Sequence, residues 1–187
     1  MRRVLVAVSG LLLTEFLERT MGQIDWTDAE LVLLHVVDTR PLREFGLVAR
    51  ALPARSREAA ARAREMGALG AEAGQGMLKE AEALAAPHLP PGTVIQRLQR
   101  TGVPDQEIIA AAHEVGANLI VLGAAEEPPP PEPHGPHHPA PRPDEGPVSS
   151  PHGSPAKYPR RHLSPVVRFV VDHAPCDVLL LYAGSRA

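Results

Sequence analysis

The sequence has few aromatic residues, a single cysteine and little net charge. Phe, Trp and Tyr together make up 3% of the 187 residues, although the hydrophobic fraction is 44%. Apolar content that consists mainly of Ala, Val and Leu is typical of helices packed on buried parallel strands, where small and branched side chains predominate. We therefore expect a single domain of ordinary size with a sizeable core.

These shortages exclude several classes of protein. The lone Cys176 excludes an intrachain disulfide and suits a reducing compartment, so a cytoplasmic location is predicted. The formal net charge of -3 gives no sign of a polyanion-binding surface, and no nucleic-acid partner is expected. The apolar segment 4–13 is too short for a membrane span, which takes roughly 20 residues. No small-residue cleavage site follows it, so neither a signal peptide nor a membrane segment is predicted.

Apolar runs of strand length alternate along the chain with segments of helical periodicity. The predicted strands are residues 4–8, 29–37, 93–98, 118–122 and 177–182. Alternation with right-handed crossovers gives an α/β fold, a three-layer doubly wound parallel sheet of five strands. Ligands of such folds bind beyond the carboxyl ends of the strands, where the winding reverses. With strand order 3-2-1-4-5, that place lies between Gly10 and Gly123.

The longest helical segment, residues 55–86, contains an unusual number of glycines. It is rich in Ala, Glu, Arg and Leu, so a helix is predicted. Each glycine weakens that helix by about 1 kcal/mol relative to Ala. A break or a close helix contact is therefore predicted at its middle, around Gly67, Gly70, Gly74 and Gly76.

The composition changes abruptly late in the chain. Between Glu126 and Pro165 lie 14 of the 21 prolines, with almost no large apolar residues. Such a segment cannot bury enough surface to offset its ordering entropy, so a disordered or polyproline-like insertion is predicted at about 126–163, interrupting a single domain of residues 1–187. Its proline stretches fit a partner protein with an aromatic groove.

Five histidines lie in or just beyond this insertion, and imidazole suits zinc, nickel or copper. Their spacing matches no known ligand frame, and a closed structural site also needs fixed geometry. No metal site is therefore predicted among His134, His137, His138, His152 and His162.

Four stretches resemble the universal stress protein (UspA-type) family: MRRVLVAVSG, AELVLLHVVD, TGVPDQEIIAAAHEVGANLIVLGA and SPVVRFVVDHAPCDVLLL. The last two are the most specific. The resemblance covers residues 1–125 and 164–182, and the insertion has no counterpart in it. It implies an adenine nucleotide alpha hydrolase-like sheet of order 3-2-1-4-5. It also implies a role in stress response, either as an ATP-binding protein or as a dimer that lacks the nucleotide site.

Nucleotide-binding members carry an acid at the end of strand one and an adenine-contacting residue at the end of strand two. After strand four they carry Gly-x-x-Gly, then a spacer of nine residues, then Gly-Ser or Gly-Thr. By this resemblance, Ser9 occupies the position of the acid, Val36 that of the adenine-contacting residue and Gly123 that of the first glycine. Glu126 falls at the second glycine and Ser164-Pro165 at the Gly-Ser. Glu126 would oppose a triphosphate, and Pro165 has no N–H to offer, so a degenerate site is predicted.

A basic run just before the last helix offers another way to hold phosphate. Arg160 and Arg161, with Lys157, could contact phosphates by charge instead of by glycine backbone. The simpler interpretation is a solvated end of the linker. The candidate nucleotide-binding residues are therefore Ser9, Val36, Gly123, Arg160, Arg161 and Ser164.

No catalytic residue is predicted. His35 and His173 are expected to be structural, and no nucleophile elbow is visible. Ser9-Gly10 also occurs in the loop of PP-loop ATP pyrophosphatases, but the second glycine and the acid of that loop are absent here.

The predicted function is that of a non-enzymatic universal stress protein without a cofactor. It would act as a partner-binding module or as a homodimer through its last strand, Val178 to Tyr182, since an exposed sheet edge invites pairing. The alternative is a regulator that still binds ATP or another adenine nucleotide.

Overall fold

The protein alternates strands and helices throughout the part of the chain that its computed structural model describes, residues 1–10, 13–40, 56–124 and 163–182. The predicted insertion, apart from its last residue, lies outside these ranges. The elements, in chain order, are β1 (Arg2–Ala7), α1 (Leu13–Gln23), β2 (Ala29–Asp38), α2 (Ser56–Ala85), β3 (Ile95–Gly102), α3 (Pro104–Val115), β4 (Leu119–Ala124), α4 (Pro165–His173) and β5 (Asp177–Tyr182).

The five strands form one parallel sheet in the order β3-β2-β1-β4-β5, which confirms the predicted order. Strand β1 is central. Its Val4, Leu5 and Val6 are fully buried because helices cover both faces of the sheet. A run of branched side chains is what such a doubly covered strand needs, which is why this strand is readable from its composition.

The helices form one layer on each face of the sheet. Helices α1 and α2 pack on the face that bears Val4 and Val6, whereas α3 and α4 pack on the face that bears Leu5. Successive residues of a strand point to opposite faces, so β1 contributes to both cores. Among the helices of the described ranges, none is both long and apolar enough to cross a bilayer.

Strand β3 is longer than predicted and is shifted towards the C-terminus. The prediction ended at Leu98, whereas the strand runs from Ile95 to Gly102 and pairs with β2 as far as Asp38. Its last four residues are polar or glycine. An edge strand tolerates such residues because one of its sides faces solvent, and charged side chains there oppose unwanted pairing.

Helix α2 is unbroken over its 30 residues, so the predicted break is wrong. The glycines instead allow a close approach to β2. A Cβ atom at Gly70 would lie 3.2 Å from Val37 Cγ1, and one at Gly74 would lie 2.5 Å from His35 Cδ2. Gly76, on the outer side of the helix, would meet nothing within 4 Å. The close contact is therefore between helix and sheet.

We expect Gly74→Ala to destabilise the fold by about 1–3 kcal/mol, because its methyl group would force the ring of His35 out of place. Gly76→Ala is the matched control on the same helix. It should stabilise the protein by about 0.5–1 kcal/mol through helix propensity. Urea unfolding of both variants measures the difference, and equal shifts would contradict the close packing of α2 on β2.

Candidate functional site

The carboxyl ends of β1 and β4 meet where the winding of the sheet reverses. Ala7 pairs with Leu122, and just beyond the end of β1 the Val8 amide donates to Leu34 O at 2.8 Å. The chain then leaves the sheet through Ser9 and Gly10, both exposed. The chain turns to α1 after β1, whereas α4 covers the opposite face. This crevice is the position at which open parallel sheets bind ligands.

Two of the predicted binding residues lie at the ends of the strands that meet here, and a third lies on the neighbouring strand β2. Ser9 follows β1, and Gly123 follows Leu122 in β4 and is exposed beside Phe16 of α1. Val36 lies near the end of β2, half-buried, on the face covered by α3 and α4. A Cβ at Gly123 would sit 3.5 Å from Phe16 Cδ2, an ordinary contact, so the fold does not itself demand glycine there.

Ser164 lies at the start of α4 and caps that helix. Its hydroxyl accepts a hydrogen bond from the Val167 amide at 3.3 Å, which makes it the N-cap. Pro165 is the first helical residue and has no N–H. Among the first three residues of α4, only Val166 has a backbone N–H that is left to bind an anion. Arg160 and Arg161, the predicted charge contacts, lie outside the described residues.

A histidine beside the crevice is fixed by two neighbours. His35 Nδ1 lies 3.1 Å from Val8 O, and because a carbonyl can only accept, Nδ1 carries the proton. Gly74 of α2 packs against the same ring. This supports the structural role predicted for His35. The arrangement itself was not predicted, although the spacing of Gly70 and Gly74 on one helical face was its sequence signal.

An acid at the rim of the sheet is already engaged. Asp38, the last residue of β2, accepts hydrogen bonds from Arg40 Nε at 3.0 Å and from Arg40 Nη2 at 2.7 Å. These bonds hold the pKa of the Asp38 carboxyl below its ordinary value. Arg40 balances the charge of Asp38. Asp38 therefore does not substitute for the acid that nucleotide-binding members carry at the position of Ser9.

Cys176 lies between α4 and β5 and packs, partly buried, against the core on the α3 and α4 face. Burial raises the pKa of its thiol, and the neighbouring carboxylate of Asp177 raises it further. A thiol with a raised pKa is a poor nucleophile at neutral pH.

No group of three or more His, Cys, Asp or Glu side chains comes together in residues 1–10, 13–40, 56–124 and 163–182. The five histidines in and near the insertion fall outside these ranges. The site that can be described is therefore a crevice lined by a hydroxyl, a glycine and one capped helix end.

The chain matches the model of the universal stress protein family over residues 1–130. This range includes β1 to β4 and the crevice between β1 and β4. The protein belongs to the universal stress protein family. A comparison with curated protein sequences finds no match.

Solved structures share its fold at low sequence identity. UspA from Lactobacillus plantarum is 20% identical, with 96% of this chain and 97% of that one covered and a TM-score of 0.50. The Arabidopsis thaliana protein At3g01520, solved with AMP bound, is 16% identical, with 99% and 94% covered and a TM-score of 0.52. A universal stress protein from Archaeoglobus fulgidus, solved with dAMP, is 14% identical, with 96% and 97% covered and a TM-score of 0.50.

We expect Ser164→Ala to destabilise the protein by about 0.5–1 kcal/mol, because α4 loses its N-cap. Ser164→Asp should keep most of the stability, since its carboxylate can accept the same hydrogen bond and favours a helix N-terminus. Thermal or urea unfolding checks both variants. If alanine and aspartate behave alike, the hydroxyl is not a cap.

The raised pKa of Cys176 predicts slow alkylation at neutral pH. The rate with iodoacetamide should rise with a midpoint above the value of about 8.5 that is typical of an unperturbed thiol. The same measurement on urea-unfolded protein is the control and should return the ordinary midpoint. A folded-state midpoint at or below about 8.5 would contradict the burial of this thiol.

Proposed function

We propose that this universal stress protein is a non-enzymatic regulator in the cytoplasm whose nucleotide site no longer holds a triphosphate in the manner of its family. The observation that carries the proposal is the start of α4. There Pro165 lacks an N–H and the hydroxyl of Ser164 occupies the amide of Val167. A phosphate at this helix end would meet at most one backbone donor of the first three.

The other side of the crevice supports the same conclusion. Ser9 is exposed and carries no charge where the resemblance places an acid for the adenosine end. Asp38, the carboxylate at the end of the neighbouring strand β2, is engaged by Arg40. The single thiol, Cys176, suits the reducing cytoplasm.

The two edges of the sheet support association through β5. Strand β3 presents Gln96, Arg97 and Thr101 to solvent, which protects that edge. Strand β5, after its first residue, instead carries a run of apolar residues, of which Val178, Leu179 and Leu180 are only half-buried. Such an apolar, uncharged run at an edge suits pairing with a second copy across a two-fold axis.

Sedimentation tests the dimer. We expect a dimer at micromolar concentration, and Val178→Lys should convert it to a monomer because a charge would be desolvated at the paired edge. Gln96→Lys on the opposite edge strand is the matched control and should leave the assembly unchanged. A wild-type monomer, or equal effects of the two variants, would refute pairing through β5.

A second candidate function is adenine-nucleotide binding without the usual phosphate contacts. It is favoured by the exposed Gly123 at the crevice and by the half-buried Val36 on the neighbouring strand β2. Relatives of the same fold were solved with AMP and dAMP bound. A monophosphate needs fewer hydrogen-bond donors at the helix end than a triphosphate does.

Titration calorimetry with MgATP and with AMP separates the two functions. We expect no saturable heat with MgATP, and analysis of the purified protein should find no co-purified nucleotide. Arg160→Ala/Arg161→Ala tests the basic run, with Arg168→Ala, an exposed arginine within α4, as the control. Micromolar binding of MgATP that the double variant abolishes and the control retains would overturn the principal proposal.

A further inference from the structure

One flank of helix α4 carries an exposed valine between two exposed charges. Val167 and Val170 of this helix are buried against the sheet, whereas Val171 is 43% exposed. Arg168 and Asp172 are exposed as well. The three residues lie three and four positions apart, so they are neighbours on the surface of the helix. We call Arg168, Val171 and Asp172 the α4 flank.

The α4 flank lies beside the free edge of β5. Helix α4 connects β4 to β5 and covers both strands, since its Val170 shares a core with Ile120 of β4 and Val178 of β5. The connection between such parallel strands is right-handed, which puts α3 on one side of α4 and the edge of β5 on the other. Successive helical residues turn by about 100°. With the handedness of the helix, this turn carries Val171 from the buried Val170 towards the edge of β5.

The two charges of the flank are not used within the described part of the chain. Arg168 and Asp172 are four residues apart on one helix, but none of the ion pairs there includes either of them. Their order explains this in part, because a base that precedes an acid by four residues is the less favourable arrangement on a helix. Both charges therefore remain available to a partner.

Pairing of β5 with a second copy would bring two α4 helices to packing distance. Neighbouring strands of a sheet lie about 4.8 Å apart, so a helix centred over β4 and β5 lies about 2.4 Å inside the edge strand. Two such helices on either side of the paired edge are then separated by about 9.6 Å. Packed helices have interaxial distances of about 8–10 Å. A two-fold axis normal to the sheet makes the helices antiparallel, so Arg168 of one copy approaches Asp172 of the other.

We propose that the α4 flank docks against the same flank of a second copy, an inference that rests on the proposed dimer through β5. Val171 packs on the other copy's α4. Arg168 of each copy pairs with Asp172 of the other, which gives two ion pairs related by symmetry. The backbone of β5 could pair with many exposed strands, whereas this arrangement of charges fits a second copy of the same chain. The α4 flank therefore makes the pairing selective.

Sedimentation of charge-exchange variants tests the ion pairs. Arg168→Asp and Asp172→Arg should each raise the dissociation constant of the dimer about tenfold or more, because two like-charge contacts replace two ion pairs. Arg168→Asp/Asp172→Arg should restore the affinity to within about threefold of the wild type, since each base again faces an acid. A double variant as weak as the single variants would refute the ion pairs.

Val171→Asn tests the apolar contact without adding a charge. It should weaken the dimer about tenfold or more, because each copy would bury a polar amide without a partner. Leu69→Asn is the matched control, since Leu69 is also exposed, at 62%, but belongs to α2 on the opposite face of the sheet. It should leave the affinity unchanged, and equal effects of the two variants would refute the apolar contact. Circular dichroism of each variant checks its fold.

These measurements separate the α4 flank from the dimer itself. If the wild-type dimer is broken by Val178→Lys but is insensitive to the changes at Arg168, Val171 and Asp172, pairing through β5 stands and docking of the α4 flank is refuted. A wild-type monomer at micromolar concentration refutes both.

Discussion

The burial of β1 between β2 and β4 is the constraint on which the rest of the structure depends. Its backbone groups are paired on both sides, and helices cover both of its faces, so the side chains at its centre are withdrawn fully from water. This pairing sets the register of the neighbouring strands. It also brings the ends of β1 and β4 together, so the crevice follows from the same contacts that form the core.

The parts of the fold that could be predicted are those in which burial dictates composition. Strands β1, β2, β4 and β5 are readable because unbroken apolar runs are needed where parallel strands are covered. The end of β3 was missed because an edge strand can be polar, and only its pairing with β2 as far as Asp38 reveals it. The glycines of α2 signalled a close contact, but the partner, a strand instead of a helix, depends on tertiary packing.

The candidate site likewise has features that could be predicted from the sequence and features that could not. Topology alone places Ser9 and Gly123 near the crevice. The capping role of Ser164 agrees with a common pattern, a hydroxyl residue followed by proline at the first helical position. The placement of His35 against Gly74, and that of Gln99 beneath α2, could not be predicted, because each joins residues distant in sequence. Contacts of that kind leave no periodic pattern along the chain.

The difference between the two edges of the sheet also limits how large an assembly can grow. A sheet that is receptive on both sides can add copies without end, and fibres are the result. Here β3 carries charge within the strand, whereas β5 from Val178 onward carries none. In the proposed pairing of β5 with its own copy, both receptive edges are consumed and only charged edges face outward. Under the proposed pairing, association through this sheet closes on itself, so further copies have no receptive edge to which they can add.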